Sequence, residues 1–392
     1  MPWNQVTPMD ERTQFIAAVL RHTLSISELC ERHGISRKTG YKWIRRYQAE
    51  GPAGLHEQPR RPHGCPHRTA DDIEAAIVEA RQRHPHWGAK KLLRILSKRE
   101  PRQHWPARAT VCNILDRNGL IRHPRQRRQM GHPGKPSTVI TAANALWSAD
   151  FKGHFKTGDG IYCYPLTVTD NYSRMLLGCQ GLLTTACADA KPVFRRLFQE
   201  YGLPHRIRTD NGVPFATVSL ARLSTLSAWW VRLGVLPELI EPGKPQQNGR
   251  HERMHKTLKA ETTRPPAANL AAQQRKFNRF RIEFNHERPH ESLNQETPDS
   301  LYTPSSRPYP SKLPRLEYPA HYERRLVSDN GGIRWNHHWV NVSCCCAGEY
   351  VGLEEIDNGV WEIYFGPLKL GRLLEEHMRI EDQFGKLKRL NR

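Results

Sequence analysis

The sequence predicts a mixed α/β core that follows all-α helix-turn-helix modules and precedes a small antiparallel β-barrel. Three observations support this fold class. Apolar residues recur at helical spacing up to about residue 123. Strand-like and helical patterns then alternate, which is typical of a layered α/β fold. Residues 321–384 finally show Asn-Gly turns between short apolar runs, which favours a small barrel.

The chain has 392 residues, of which 38% are hydrophobic, so we expect several folded domains rather than one core. No uncharged apolar run approaches the roughly 18 residues that a membrane span needs, and the N-terminus lacks a signal region. We therefore expect a soluble, cytoplasmic protein with no membrane partner. The nine cysteines show no paired CxxC spacing, which indicates neither a disulfide framework nor a zinc finger.

Positive charge is concentrated at the front of the chain. The formal charge is +21, and the first 140 residues carry 26 Lys and Arg against 12 Asp and Glu. Residues 101–140 hold eight basic residues and one acidic residue, and Arg125, Arg127 and Arg128 lie in this stretch. Such a run suits contact with a polyanion and makes DNA the expected partner, although a solvated basic surface explains any single run equally well.

Breaks in composition divide the chain into modules. Proline-rich and basic stretches mark the boundaries, because proline fixes φ and cannot donate to a helix or a ladder. The predicted modules are a helix-turn-helix domain at 1–58, a linker at 59–68, a second helix-turn-helix domain at 69–123, a basic linker at 124–140, the α/β core at 141–302, a Pro-rich linker at 303–320, the β-barrel at 321–384 and a basic tail at 385–392.

The first module ends on a predicted recognition helix. Ser36 is a good N-cap for it, and Ser27 is expected to open the helix before it. Gly40, Trp43, Ile44 and Tyr47 recur at core spacing on the recognition helix. The residues expected to project outward and contact DNA are Arg37, Lys38, Tyr41, Lys42 and Arg45. The alternative is a three-helix bundle whose outer face is merely soluble.

The second module repeats this organisation. Three helical segments fill residues 69–123, and Arg108 lies near the start of the last one as a candidate DNA contact. Two such modules in tandem are suited to grip an extended DNA site.

Three acids in the α/β core are candidates for metal binding. Asp150 lies in the first strand, Asp210 ends a later strand, and Glu252 stands on a helix after a Gln/Asn/Gly turn. Three carboxylates suit two Mg²⁺ ions, one activating the attacking oxygen and one stabilising the leaving oxygen of a phosphoryl transfer. Each acid alone has another explanation: Asp210 fits a simple turn, and Asp170 is an equally good candidate by composition.

The predicted helix that carries Glu252 has two different faces. Lys256 and Lys259 lie near Glu252, whereas Met254 and Leu258 point to the opposite side. We expect this helix to pack inward through its apolar side chains and to offer metal and DNA-phosphate contacts outward.

Five ordered segments resemble the catalytic core of bacterial insertion-sequence transposases of the DDE superfamily, which are kin to retroviral integrases. The segments are WSADFKGHF, TVTDNYSRMLLG, RIRTDNGVPF, PGKPQQNGRHERMHKTLKAE and FNHERPHESLNQETPDSLY. The resemblance implies a ribonuclease H-like core in which Asp150, Asp210 and Glu252 are the catalytic, metal-binding triad. It also implies two Mg²⁺ ions, for which Mn²⁺ substitutes.

The resemblance assigns roles to other residues too. It implies that Asp170 is a structural acid and not a member of the catalytic triad. Asn211 and Gly212 set Asp210, and Gln247, Asn248 and Gly249 launch the Glu252 helix. In the closing motif, Arg288, Pro289 and His290 are expected to support the core or DNA.

The function implied is that of a transposase that binds the terminal inverted repeats of its element, cleaves DNA and joins the ends to target DNA as a homo-oligomer. An inactive helix-turn-helix regulator and a nuclease that cuts without joining are the alternatives.

The sequence departs from the family pattern in two places. The interval between Asp210 and Glu252 encloses 41 residues, with the extra length expected in ATVSLARLSTLSAWW, and the zinc-bound module of retroviral integrases is missing.

Overall fold

The computed structural model describes residues 7–58, 68–121, 139–241, 245–382 and 385–386. These fall into two compact units, 1–69 and 70–392, each of which is described by itself. Among the described residues, the helices are all too short or too polar to cross a membrane.

The first unit is a three-helix module. Its helices are α1 (Pro8–Leu20), α2 (Ile26–Arg32) and α3 (Arg37–Glu50). Ser36 caps α3 as predicted, because its hydroxyl accepts from the Thr39 N–H at 3.2 Å. The expectation for Ser27 is wrong: Ser25 caps α2 and forms a reciprocal capping box with Glu28, so the helix begins two residues earlier.

The second unit begins with another three-helix module, made of α4 (Asp71–Arg83), α5 (Ala89–Arg99) and α6 (Arg108–Arg117). Its own core contains Ile77, Trp87 and Leu92. The module packs on the closing motif of the α/β core. His84 Nδ1 lies 3.3 Å from Glu283 Oε1, and Arg94 forms an ion pair with Glu296.

The α/β core is built on a twisted sheet whose main strands follow the order β4–β3–β1–β5–β6. Strand β3 runs antiparallel to β1, whereas β5 and β6 run parallel to β1. The strands are β1 (Leu146–Phe151), β2 (Phe155–Lys156), β3 (Tyr162–Asp170), β4 (Leu176–Leu182), β5 (Arg206–Thr209) and β6 (Leu236–Leu239), with the short β2 also paired to β3.

Helices cover both faces of this sheet. They are α7 (Cys187–Tyr201), α8 (Thr225–Arg232), α9 (Gly249–Thr262) and α10 (Leu270–Ile282). Side chains alternate between the faces along β1. Trp147 and Ala149 enter the core with α7 and α8. Asp150 therefore faces the other side, where α9 and α10 pack with Met254 and Leu258 buried as predicted.

The C-terminal region is all-β, but the predicted small barrel is not confirmed. Its strands are β7 (Glu323–Leu326), β8 (Gly332–Trp335), β9 (His338–Asn341), β10 (Tyr350–Asp357), β11 (Val360–Phe365), β12 (Leu368–Leu374), β13 (Arg379–Asp382) and β14 (Gly385–Lys386). Six of them form an open antiparallel sheet, β14–β13–β12–β11–β10–β7, and β8–β9 is a separate hairpin. The hairpin packs Ile333, Trp335 and Val340 into the same core as the sheet, so the apolar face is buried without closure. The expected Asn-Gly turn joins β10 to β11 at Asn358 and Gly359, where Gly359 has φ +70°.

The Pro-rich stretch predicted as a linker is held against the α/β core. The Leu203 N–H donates to the Arg307 carbonyl at 2.7 Å, and the Arg307 guanidinium donates to the carbonyls of Pro204 and Gly234 at 2.9 and 2.7 Å. Proline prevents helix and ladder formation here, but it does not prevent docking on a surface that offers carbonyl acceptors.

Candidate active site

Two of the predicted acids lie on adjacent strands. Asp150 belongs to β1, and Asp210 directly follows β5, the parallel neighbour of β1. The carboxyl ends of parallel strands lie at one edge of a sheet, so both side chains reach the same edge. Helix α9 carries Glu252 in its first turn and crosses the sheet above β1 and β3.

A buried polar layer fixes α9 on the sheet. The Thr167 hydroxyl on β3 lies 2.7 Å from His251 Nε2, 2.6 Å from His255 Nε2 and 3.1 Å from the Asp150 carbonyl oxygen. One hydroxyl offers one donor and two acceptor positions. Thr167 therefore donates to the carbonyl and accepts from both imidazole N–H groups.

Both histidines are neutral. Burial lowers the pKa of His251 to about 3. Burial also lowers the pKa of His255, and together with the neighbouring His251 and Lys152 it brings that pKa to about 2. His255 Nδ1 faces Asp150 Oδ2 at 3.7 Å. This contact is thus a polar neighbour of the acid rather than an ion pair, and it places α9 directly beside Asp150.

Asp150 occupies an unfavourable environment for a lone carboxylate. Its side chain is only 20% exposed. Burial and the charge of Asp210, with a smaller contribution from Glu252, raise the pKa of Asp150 to about 7. A hydrogen bond from the Phe151 N–H and the charge of Lys152 act in the opposite direction and lower it. The negative charges of Asp210 and Glu252 therefore act on Asp150. A bound cation would relieve that repulsion.

The turns around Asp210 and Glu252 match the roles expected for them. Asp210 Oδ1 accepts from the Gly212 N–H at 3.2 Å. The Asn211 amide donates to the Ile240 carbonyl at 2.9 Å and ties this turn to the end of β6. The Gln247 amide bonds Glu241 at 2.9 and 2.8 Å, directly before α9 begins at Gly249.

Glu252 is exposed, and no hydrogen bond or ion pair holds its side chain in the described part of the chain. Across the ranges that the structure describes, no three His, Cys, Asp or Glu side chains are close enough to hold a metal ion. The three acids are electrostatic neighbours, but they do not form a preassembled metal cage. Lys256 and Lys259 are exposed on the same helix.

Asp170 is a structural acid. It is 1% exposed, and its two oxygens accept from the N–H groups of Asn144, Tyr172 and Ser173 and from the Ser173 hydroxyl at 2.7–3.1 Å. These bonds fix the turn between β3 and β4. Both carboxylate oxygens are used in doing so, which removes Asp170 from the candidate metal ligands.

The closing motif supports the core. The Asn285 amide bonds the Leu176 backbone at 2.9 and 3.0 Å. Arg288 is buried, forms an ion pair with Glu261 at 2.8 Å and lies 5.8 Å from the Trp87 ring of the second helical module. Sequence reasoning expected support from this motif, but it did not predict that the helical module would dock on it.

The residues predicted to contact DNA are accessible wherever the structure describes them. Arg37, Lys38, Tyr41, Lys42 and Arg45 are exposed on α3, and Arg108 is exposed at the start of α6. Arg125, Arg127 and Arg128 lie outside the described residues.

Sequence reasoning missed the histidine pair and the arginines beside it. His251 and His255 stand at i and i+4 on α9, and this spacing on a helix that also carries apolar residues was a usable signal for an inward-facing polar layer. Arg174, Arg250 and Arg253 gave no such signal, because they come together only through the β3–β4 turn.

Comparisons with known proteins agree with this architecture. Residues 140–245 and 233–298 match two models of an integrase core domain. Residues 11–63 match a helix-turn-helix domain, and residues 39–115 match a homeodomain-like domain.

The relatives include uncharacterized proteins of two insertion elements. The 31.7 kDa protein of IS407 from Burkholderia multivorans is 26% identical over 245 residues, which cover 58% of this chain and 80% of that protein. The 39.2 kDa protein of IS476 from Xanthomonas euvesicatoria is 26% identical over 257 residues, which cover 63% of this chain and 69% of that protein. Among solved structures, a chain of the simian T-cell lymphotropic virus intasome in complex with PP2A regulatory subunit B56 gamma aligns with a TM-score of 0.37 and 16% identity, over 75% of this chain and 97% of that one.

The family-model matches thus assign residues 140–298 to regions similar to an integrase core domain and residues 11–115 to regions similar to helix-turn-helix and homeodomain-like domains. The resemblance of the sequence to insertion-sequence transposases with an integrase-type core is confirmed.

Proposed function

We propose that this chain is the transposase of an insertion element, which binds the terminal inverted repeats of the element, cleaves DNA at its ends and joins them to target DNA. One observation carries the proposal: Asp150 on β1 and Asp210 after the parallel strand β5 lie toward the same sheet edge, the helix that carries Glu252 packs on β1, and the charges of Asp210 and Glu252 act on Asp150. A protein that only binds DNA has no need to retain all three of these acids.

The donor set fits Mg²⁺. All three candidate ligands, Asp150, Asp210 and Glu252, offer carboxylate oxygens, which hard divalent cations prefer. The exposed Glu252 side chain has no partner to give up among the described residues, so it can turn toward the strand ends when metal and DNA bind. We propose two Mg²⁺ ions, with Mn²⁺ as a substitute.

When bound, the metal ions would supply Lewis acidity to the attacking and leaving oxygens of an in-line phosphoryl transfer. The protein positions the carboxylates that would hold the metal ions. Asp150 is held by β1, and Asp210 is held by the turn that ends at Gly212. The Thr167–histidine layer keeps α9 on the sheet. The attacking oxygen comes from water or from a DNA 3′-hydroxyl, so no covalent protein–DNA intermediate is needed.

DNA binding is assigned to the exposed basic residues. The side chains on α3, Arg108 on α6 and the pair Lys256 and Lys259 on α9 are accessible for phosphate and base contacts. Arg125, Arg127 and Arg128 are proposed to add to this grip. Two element ends must be held together for joining, so we propose that the chain acts as a homo-oligomer on DNA.

The test uses the full chain, Mg²⁺, a plasmid target and a pre-cut duplex that carries the inverted repeat flanking the coding sequence. Joined product supports transposition. Cleavage without joining would indicate a nuclease, and binding alone would indicate an inactive regulator.

We expect Asp150→Asn, Asp210→Asn and Glu252→Gln to abolish joining while DNA binding stays within a few-fold of the unsubstituted protein. Glu355→Gln removes an equivalent charge from an exposed position in the C-terminal sheet and serves as the control, with joining unchanged. Joining at the original rate by any of the three variants would show that its acid is misassigned.

A further inference from the structure

Three arginines surround the turn between β3 and β4, beside the first turn of α9. Arg174 Nη1 donates to the Asn171 carbonyl oxygen at 2.7 Å, and Arg250 Nη1 donates to the same oxygen at 3.3 Å. Arg253 stands one turn after Arg250 on the same side of α9. Two guanidinium groups therefore share one backbone acceptor, with a third cation nearby.

Within the part of the chain that the structure describes, this cluster has no acidic partner. Elsewhere in the core, buried arginines are neutralised: Arg208 pairs with Glu238 at 2.6 Å, and Arg288 pairs with Glu261 at 2.8 Å. In the described ranges, no carboxylate lies within ion-pair distance of Arg174, Arg250 or Arg253. In the neighbouring acid, Asp170, one carboxylate oxygen accepts from Tyr172 and Ser173 in the turn and the other accepts from the Asn144 N–H.

The positive charges of Arg250 and Arg253 act on Arg174. Burial, followed by the charge of Arg250, lowers the pKa of Arg174 to about 10, with Arg253 adding to the effect and Asp170 opposing it. Bringing like charges together costs free energy, and an anion in their midst would recover it.

The turn that carries Arg174 is rigid. Arg174 adopts a left-handed backbone with φ +67°, which is unfavourable for a non-glycine residue and persists only when the surroundings fix it. Here the Arg174 N–H donates to the Asp170 carbonyl at 3.1 Å, and the Asp170 carboxylate holds the rest of the turn. The half-buried guanidinium thus starts from a fixed point, while Arg250 and Arg253 are exposed.

We propose that Arg174, Arg250 and Arg253 form a phosphate-binding site for the sugar–phosphate backbone of DNA, beside the three acids. Arg250 and Arg253 flank Glu252 in sequence, so a phosphodiester held here belongs to the DNA strand that passes the acids. Guanidinium groups suit this ligand because their planar fork donates two parallel hydrogen bonds to phosphate oxygens. Exposed Tyr172 lies at the same turn and offers an aromatic surface to the strand. The inference rests on the proposed function for the identity of the strand, but not for the binding of phosphate.

The test measures the affinity of the full chain for a fluorescent DNA duplex of arbitrary sequence over a range of KCl concentrations. The variants are Arg174→Gln, Arg250→Gln and the double substitution. Arg195→Gln is the matched control, because it removes the same charge from an exposed position on α7, across the sheet. We expect the slope of log K against log salt to become shallower by about 0.9 for each DNA phosphate that the variant no longer binds, with the control slope unchanged. Slopes equal to that of the control would overturn the proposal.

Two further measurements separate charge from folding and this site from the proposed function. Arg174→Lys keeps the positive charge, so we expect this variant to retain most of the salt slope that Arg174→Gln loses. A slope reduced equally in both variants would mean that the turn itself is damaged, and it would overturn the phosphate assignment. The joining assay is then run on each variant. If the arginine variants show shallower salt slopes but the unsubstituted protein does not join DNA, the phosphate site is retained and transposition is rejected. Joining by that protein, with variants that match the control in both assays, would reject the site alone.

Discussion

His290 is a half-buried histidine at the junction of the closing motif and the second helical module. Its ring packs edge-on against Phe284 at 4.7 Å. Burial, with the charges of Lys91 and Arg288, lowers the pKa of His290 to about 3 from its ordinary value of 6.5. The folded protein therefore keeps this ring neutral at pH values where the unfolded chain has already taken up a proton.

This difference makes the free energy of unfolding depend on pH in a known direction. The stabilisation from a neutral His290 is complete above about pH 6.5 and declines as the pH falls toward 3, because only the unfolded state gains a proton in that range. Near pH 5 the loss amounts to about 2 kcal/mol. We expect His290→Gln to remove that part of the acid sensitivity, as measured by urea unfolding at about pH 7.5 and about pH 5. His104→Gln replaces an exposed histidine, so we expect this variant to keep the acid sensitivity of the unsubstituted protein. Equal acid sensitivity of His290→Gln and the unsubstituted protein would contradict the assignment.

At the residue scale, the sequence predicts inward-facing apolar side chains well and inward-facing polar ones poorly. Met254 and Leu258 follow from helical spacing and are buried. His251 and His255 are buried too, and their i, i+4 spacing groups them on one side of α9, but nothing local identifies their partner Thr167, which lies on strand β3. A hydrogen bond between distant segments leaves no local pattern.

Among the elements, the helix end that carries Glu261 and the closing motif that carries Arg288 are joined by a buried ion pair. The Arg288 Nη1 to Glu261 Oε1 distance is 2.8 Å, and the two side chains are 7% and 15% exposed. Arg288 also lies over the rings of Trp87 and Phe284 at 5.8 and 5.9 Å. One guanidinium thus contacts α9, the closing motif and the second helical module.

Removing one partner of this pair should cost more than removing both. Arg288→Met leaves Glu261 buried without its cation, and we expect a loss of about 3–5 kcal/mol in the free energy of unfolding. Adding Glu261→Leu removes the stranded charge and should recover much of that loss. Urea unfolding of the two single variants and the double variant measures the coupling. Strict additivity of the two single losses would show that the pair is not coupled in the folded state.

The elements differ in how far the sequence predicts them. Helix α3 and its Ser36 cap follow from local residues, because a cap and its helix are neighbours in the chain. Barrel closure does not follow, since it depends on what covers the apolar face. In this protein the β8–β9 hairpin and residues of the α/β core cover it, and the sheet stays open.

On the scale of the whole molecule, the extra length between Asp210 and Glu252 joins the α/β core to the C-terminal sheet. Leu220, Ala221 and Leu223 are buried in the same cluster as the apolar side chains of that sheet. The Ala221 N–H donates to Asp382 at 2.8 Å, and Arg232 on α8 pairs with Glu349. The sequence showed that this interval was long but not why, because its apolar residues find their partners more than 100 positions away.

This docking leads to a prediction with a matched pair in one segment. Leu220 is fully buried, whereas Val218, two residues earlier, is 94% exposed. Leu220→Ala removes buried methyl groups and leaves a cavity, so we expect a loss of about 2–5 kcal/mol in the free energy of unfolding and faster proteolytic release of the C-terminal sheet. Val218→Ala should change the unfolding free energy by no more than about 0.5 kcal/mol and leave the digestion pattern intact. Thermal or urea unfolding, followed by limited proteolysis, compares the two variants. If both behave alike, the segment does not anchor the sheet to the core.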